Sequence, residues 1–369
     1  PPRQVRQARH WKPCATTSLL LPSGPATKGP LMKKQIWTVA AGLMAFLVLG
    51  LFWYLNTPQA PVEESIPLPQ GEYVEPGELL HLTEVLSNDA LQGRAIGTPG
   101  NEAARGFLRK RFETLRLKKI GDSYEHPFTV LPEAGDQDAK PVQGTNLIGV
   151  IEGKTPGDGK MLAITAHFDH LGIIDGEIYN GADDNASGSA ALIAVATWFT
   201  HHQPEHDILF ALFDGEEEGA LGARNLVRSG NVDMERVALN LNFDMVSRSD
   251  VNELYVSGTY HYPGLVPFVE ELSAKAPVNL LMGHDRLEQG DDDWTMLSDQ
   301  AAFFEAGIPF LYFGVEDYPD YHKPTDDYDK IPVEFFVHSA DTLVMAAIAA
   351  DQQLDVLNLD SSPSPGANE

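Results

Sequence analysis

Three apolar runs, MLAIT from Met161, ILFALF from Ile208 and VALNLNF from Val237, each stop abruptly against imidazole or carboxylate side chains. Short, nearly continuous apolar runs without strict alternation read as strands buried on both faces, and helical patterns lie between them. That order of elements belongs to an α/β fold with a parallel sheet. The strands are expected at 146–151, 161–165, 208–213, 237–243, 253–256 and 309–313. Helices are expected at 102–115, 186–199, 265–274 and 333–349. The helix at 186–199 is apolar on nearly every face and should lie buried beside the sheet. No internal repeat is present. The body, 77–357, is therefore expected to be a mixed, largely parallel sheet sandwiched by helices in three layers.

In open α/β sheets, ligands collect outside the carboxyl ends of the strands. His167 and Asp169 follow MLAIT, Glu216 and Glu217 follow ILFALF, and Asp244 closes VALNLNF. Asp183 and Asp184 sit in NGADDNASG just before the apolar helix, and His322 lies beyond PFLYF. Each piece alone has a structural explanation. His-x-Asp can be hydrogen bonding beside a core strand, Asp-Asp-Asn can cap a helix, and three glutamates can be a solvated helix start. Taken together they crowd charge against apolar strands, which is costly unless a cation pairs with it. The only cysteine is Cys14, so the body has no disulfide framework, no cysteine-rich zinc module and no thiol nucleophile. Imidazole and carboxylate donors suit zinc, cobalt or manganese rather than a structural cysteine-type zinc site.

The ends of the chain carry a different message. The formal net charge of the 369 residues is -27, yet residues 1–55 hold seven Lys or Arg and no acid, so the body is more acidic still. Such a body repels nucleic acid and anionic lipid. Residues 36–55 are an uncharged apolar run long enough to cross a bilayer, flanked by Lys33 and Lys34 on the N-terminal side only. This asymmetry is that of a signal or signal anchor, within 32–55, that carries the body out of the cytoplasm. An uncleaved inner-membrane anchor facing the periplasm is the expectation, with a periplasmic or secreted form if the segment is cut. Residues 1–31 read as an extension ahead of a natural start at Met32, 56–76 as a Pro-rich linker and 358–369 as a disordered tail.

The motifs LQGRAIGTPGNEAA, TAHFDHLG, NGADDNASG, FDGEEEGALGA, LNFDM, SDQAAFFEAGIPFLYF and YHKPTDDYDKI occur in an order that resembles metallopeptidase family 28. These are the co-catalytic two-zinc aminopeptidases related to glutamate carboxypeptidase II, and the resemblance spans 85–349. It implies a zinc-exopeptidase-like sandwich with two Zn2+ per chain. His167 and Asp244 would complete one metal, Glu217 and His322 the other, and Asp183 would bridge both, with a cis peptide bond between Asp183 and Asp184. Two divalent ions clamp the attacking water and the scissile carbonyl. Glu216, next to a ligand, is placed to take the proton from that water and return it to the leaving amine. Asp169 is placed to accept the second ring N–H of His167 and fix its tautomer.

This chain departs from the family where Ser298, Asp299 and Gln300 replace the usual Ser-Asp-His, which puts hydrogen bonding at that edge of the pocket in doubt. His170 reads as structural or surface. Asp291, Asp292 and Asp293 read as an exposed acidic turn in an insertion, with Trp294, that should roof the pocket. The function expected is removal of N-terminal residues from peptides with a free N-terminus. A carboxypeptidase or dipeptidase would want basic residues in the pocket, for which Arg286 and Lys323 are the candidates. A one-zinc glutaminyl cyclase should lack a complete two-metal set, and a non-catalytic receptor-like ectodomain should have lost ligands.

Overall fold

The computed structural model describes residues 69–131 and 141–361. The extension, the apolar segment 36–55, the first part of the linker and most of the tail lie outside the described residues. Helices α1 (Pro76–Leu86) and α2 (Pro99–Leu115) lead into strands β1 (Lys118–Lys119), β2 (Glu125–Val130), β3 (Val142–Ile151) and β4 (Met161–His167). A small hairpin, β5 (Gly172–Ile174) and β6 (Glu177–Tyr179), precedes helix α3 (Gly188–His201). Then come β7 (Asp207–Phe213), α4 (Leu221–Ser229), β8 (Val237–Phe243), β9 (Glu253–Ser257), α5 (Val266–Ser273) and β10 (Asn279–Met282). Helix α6 (Gln300–Glu305), strand β11 (Phe310–Gly314) and helix α7 (Val333–Gln353) complete the fold.

The main sheet runs in the order β1-β3-β7-β4-β8-β11-β9-β10, with β2 also pairing with β3. Its centre, β7-β4-β8-β11, is parallel throughout. Strand β3 is antiparallel to β7, and β9 antiparallel to β11. All seven residues of β4 and all seven of β7 are buried, as expected of strands covered on both faces. The register sets His167 opposite Phe213 and Phe243 opposite Phe313. The four central strands therefore deliver their C-terminal residues to one common edge.

Helix α3 packs between the sheet and α7 and is buried along most of its length, as its all-round apolar pattern requires. Gly188 opens it, and a Cβ there would lie 2.3 Å from the Phe243 carbonyl oxygen, so only glycine lets the helix start this close to β8. Helix α2 starts three residues before the expected position. Thr98 accepts from the Asn101 N–H and Pro99 occupies the first turn, a cap and an N-terminal proline that together fix the start. Strand β2 was not expected, because Pro127 interrupts its run; at the sheet edge a residue without an N–H is tolerated. In the stretch read as linker, the N–H groups of Glu72, Tyr73 and Val74 donate to Asp341 on α7.

Among the described residues α7 is the one helix long and apolar enough to cross a membrane, but 67% of its apolar window is buried inside the fold. It is a core helix, packed on α3.

Candidate metal centre

Each chemically active side chain leaves the end of a parallel strand or the loop beyond it. His167 is the last residue of β4 and is fully buried. Its Nε2 lies 3.2 Å from Asp244 Oδ1, just past β8, and 3.5 Å from Asp184 Oδ1. The other oxygen of Asp184 lies 3.1 Å from His322 Nε2, and His322 Nε2 is 3.3 Å from Glu217 Oε2. Two groups of donors therefore meet at one carboxylate, His167 with Asp244 on one side and Glu217 with His322 on the other.

The shared carboxylate belongs to Asp184, which corrects the expectation for Asp183. Asp183 is turned the other way: its Oδ1 accepts from the backbone N–H and the hydroxyl of Ser247, each at 2.7 Å. Burial and the neighbouring charge of Asp326 push its carboxyl up to about 8, against the two Ser247 bonds. It is a strut of the loop. The cis peptide bond is likewise one residue further along than expected, between Asp184 and Asn185. Asp326 holds this loop from outside by accepting the N–H groups of Asp183 and Asp184, and the Asn185 side chain ties it to the Phe243 carbonyl.

Asp169 also acts differently from the expectation. The Nδ1 of His167 faces the Asp169 backbone oxygen at 3.2 Å, while the carboxylate is 3.7 Å away, too long for a hydrogen bond. That carboxylate instead accepts the Glu216 N–H at 3.1 Å. It therefore positions the turn that carries Glu216 and Glu217, and the His167 tautomer is fixed by a carbonyl. Glu218 is exposed, as a residue on the outside of that turn should be.

The electrostatics are those of anions crowded away from water. Burial pushes Glu216 well above the usual carboxylate range; the nearby His167 opposes this, and Asp299, Asp244 and Glu217 add to it. Asp184 is raised by burial and by Glu217. Burial would also raise Glu217, but the facing imidazoles of His170 and His322 hold it below the ordinary range. Burial lowers His322, yet Asp184 and Glu217 bring it up to about 10. Buried oxygens of Asp169 and Glu217 and both ring nitrogens of His170 have no hydrogen-bond partner. Unpaired buried donors and acceptors of this kind, made of imidazole and carboxylate, fit zinc. Ligand atoms of His167, Asp184 and Asp244 lie within 4.8 Å of one another, as do those of His170, Asp184 and Glu217.

Of these groups Asp184, Glu216, Glu217, Asp244 and His322 line a cavity of about 960 Å³ of open space, walled by Trp294, Met296, Leu297, Tyr312, Val315 and Tyr321, with His167 and His170 behind them. Trp294 comes from the expected roof, and Asp291 and Asp292 of that segment are exposed. Gln300, in place of the family histidine, accepts from Asn242 at 3.0 Å and donates to the Trp294 carbonyl at 2.7 Å, so this edge of the pocket is hydrogen bonded. Neither Arg286 nor Lys323 lines the cavity; the arginine that does is Arg224, which is paired with Glu305.

Sequence reasoning missed the part played by Arg94, from LQGRAIGTPG. It is completely buried, and it donates to the carbonyls of Phe168, Leu86, Asn180 and Gly181. It clamps the chain just after His167 to the start of the loop that carries Asp184.

A mixed sheet whose parallel strands end in a buried cluster of imidazoles and carboxylates defines an α/β protein with an edge of metal-binding side chains. Residues 146–347, more than half of the chain, match peptidase family M28, and the chain belongs to that family. It is 30% identical over 212 residues to the aminopeptidase YwaD of Bacillus subtilis, covering 55% of this chain and 44% of that protein. The chain thus spans less than half the length of that relative. Its fold is similar to that of BSAP, a zinc aminopeptidase from Bacillus subtilis, with a TM-score of 0.61 and 18% identity over 80% of this chain and 98% of the other. It is equally similar in fold to an Acidobacteriales bacterium glutaminyl cyclase, at a TM-score of 0.61 and 20% identity over 80% and 100% of the two chains.

Proposed function

We propose that this chain is an exported zinc-dependent aminopeptidase acting on peptides with a free N-terminus through two divalent ions. The observation that carries the reading is the Asp184 carboxylate, with one oxygen toward His167 and the other toward His322, in a cavity that Glu216 also lines. His167, Asp244 and Asp184 would hold one ion, and Asp184, Glu217 and His322 the other. Held there, a pair of divalent ions would supply Lewis-acid polarisation of the scissile carbonyl and would acidify a water. Glu216 takes the proton of that water and passes it to the leaving amine, while Asp169 holds the Glu216 backbone in place. Cobalt or manganese fits the same donors.

The direction of attack on the peptide follows from the lining. Asp184, Glu216, Glu217, Asp244 and Asp317 all face the cavity, and its one arginine is paired. With Asp184, Glu217 and Asp244 neutralised by the ions, Glu216 and Asp317 remain to attract a protonated α-amine, and no unpaired arginine of the lining offers a site for a C-terminal carboxylate, which favours an aminopeptidase over a carboxypeptidase. Residues 36–55 would hold the body outside the cytoplasmic membrane. The test is hydrolysis of amino-acyl and N-blocked peptides by Glu216→Gln and Glu217→Gln, with zinc content measured on the same samples. Glu216→Gln should keep its zinc and lose on the order of 10²- to 10⁴-fold in turnover. Glu217→Gln should lose zinc. Normal turnover in Glu216→Gln, or wild-type cleavage of N-blocked peptides alone, would overturn the reading.

A further inference from the structure

Asp184 and Glu217 face a second imidazole besides His322. His170 is buried to 1% exposure, and its Nδ1 lies 2.5 Å from Glu217 Oε1 and 3.8 Å from Asp184 Oδ2. A histidine buried for structural reasons is normally held by hydrogen bonds, and neither ring nitrogen of His170 has one. Glu217 Oε1 has none either, although it approaches Nδ1 so closely. The two atoms are near without the geometry of a donor and an acceptor. Donors held about 2.0–2.1 Å from one tetrahedral zinc stand about 3.3 Å apart, so a bound ion would draw these two atoms apart by under about 1 Å and satisfy both.

The surrounding chain makes room for the ring in this orientation. Gly181 has a φ of +56, and a Cβ there would stand 2.6 Å from His170 Cγ and Cδ2. Arg94 binds the carbonyls of Phe168 and Gly181 at once, which fixes the backbone on either side of the ring. Across from it, the His322 ring lies 5.8 Å away, centre to centre, at 62°, with Glu217 presenting Oε1 to one histidine and Oε2 to the other.

We infer that His170, through Nδ1, is a fourth protein ligand of the ion held by Asp184, Glu217 and His322. The inference rests on the two-metal reading above and makes its two positions unequal. Four protein donors would serve one ion, whereas His167, Asp184 and Asp244 would give three to the other. The ion with four donors would be held more tightly. Asp184, Glu217, Asp244 and His322 line the cavity, so both ions would border it, the four-donor ion taking a further oxygen by expanding to five-coordinate.

The experiment is titration of zinc, and separately cobalt, into chelator-stripped protein, followed by calorimetry, native mass spectrometry and the visible spectrum of bound cobalt. Wild type should take up two ions in two steps, the tighter giving the intense absorption of four-coordinate cobalt. His170→Ala and His170→Gln should weaken the tight step by at least about 100-fold, since even partners of ligands cost 10–100-fold, and should leave the weaker step nearly unchanged. His322→Ala should act on the same step, and Asp244→Asn on the other. Unfolding midpoints of the stripped proteins control for folding, and the glutamine variant serves if the alanine variant fails to fold. Two ions bound by both His170 variants with wild-type affinity and spectrum would overturn the inference and leave the two-metal reading standing. A wild type that binds a single ion would overturn that reading instead. His170 is then judged on that ion, and unchanged affinity in its variants overturns its role.

Discussion

Arg94→Met should cost about 3–5 kcal/mol of stability, near the low end of about 1–3 kcal/mol for each of four buried carbonyls left without a donor. The substitution keeps much of the volume of the side chain and removes every donor. Four buried carbonyls, those of Leu86, Phe168, Asn180 and Gly181, lose the guanidinium at contacts of 2.5–3.0 Å. Left unpaired, each would cost about 1–3 kcal/mol, so ~4–12 kcal/mol is an upper bound. Removing the cation offsets part of this, because burial already pushes its pKa down to about 10, the mark of incomplete compensation for lost water. Urea denaturation of metal-stripped protein measures the difference, and a fall in Tm of roughly 5–10 °C should accompany it. Arg94→Lys should fall between, since an ammonium has three donors and no fork to span the two loops. Zinc affinity should drop in the methionine variant, because the clamped segments adjoin His167, His170 and Asp184. A stability within about 1 kcal/mol of wild type would mean that water or backbone shifts satisfy the carbonyls, and the clamp argument would fail.

Asp184→Asn should weaken both ions together, whereas Asp183→Ala should keep the metals and lose about 1–3 kcal/mol of stability through its Ser247 bonds; equal zinc loss in the two variants would refute the bridging role of Asp184. Burial would raise Asp207, but Arg236 and the N–H groups of Gly153 and Gly157 hold it below its ordinary value. Its stabilising contribution is then complete above about pH 4 and fades as pH falls through the depressed folded pKa, so the stability gap between wild type and Asp207→Asn should narrow below about pH 4. A gap independent of pH in denaturation curves would refute this. Protease added to intact spheroplasts should digest the body if residues 36–55 anchor it outside the membrane, and protection until lysis would count against export.

The central strands were legible because burial on both faces writes itself into sequence as unbroken apolar runs, and β4, β7, β8 and β11 fall within a few residues of expectation. The polar ends of those strands were legible for the same reason, since a charge abutting a core strand has few explanations. What the sequence could not resolve was which of two neighbouring acids faces the cluster. Asp183 and Asp184 are chemically identical and adjacent, and their roles are divided by Ser247 and Asp326, 64 and 143 residues away from Asp183 in the chain. Arg94 stayed invisible in another way: its hydrogen bonds go to the backbone carbonyls of Leu86, Phe168, Asn180 and Gly181, which leave no trace in side-chain patterns. His170 lies between these cases. In TAHFDHLG it is one more imidazole beside a strand, and an exposed ring there would need no partner at all. Burial without a hydrogen bond, opposite Glu217, is what changes its meaning. An unsatisfied, buried ring nitrogen is a property of the folded chain and of no motif in the sequence, and it is what sets His170 apart from a structural histidine.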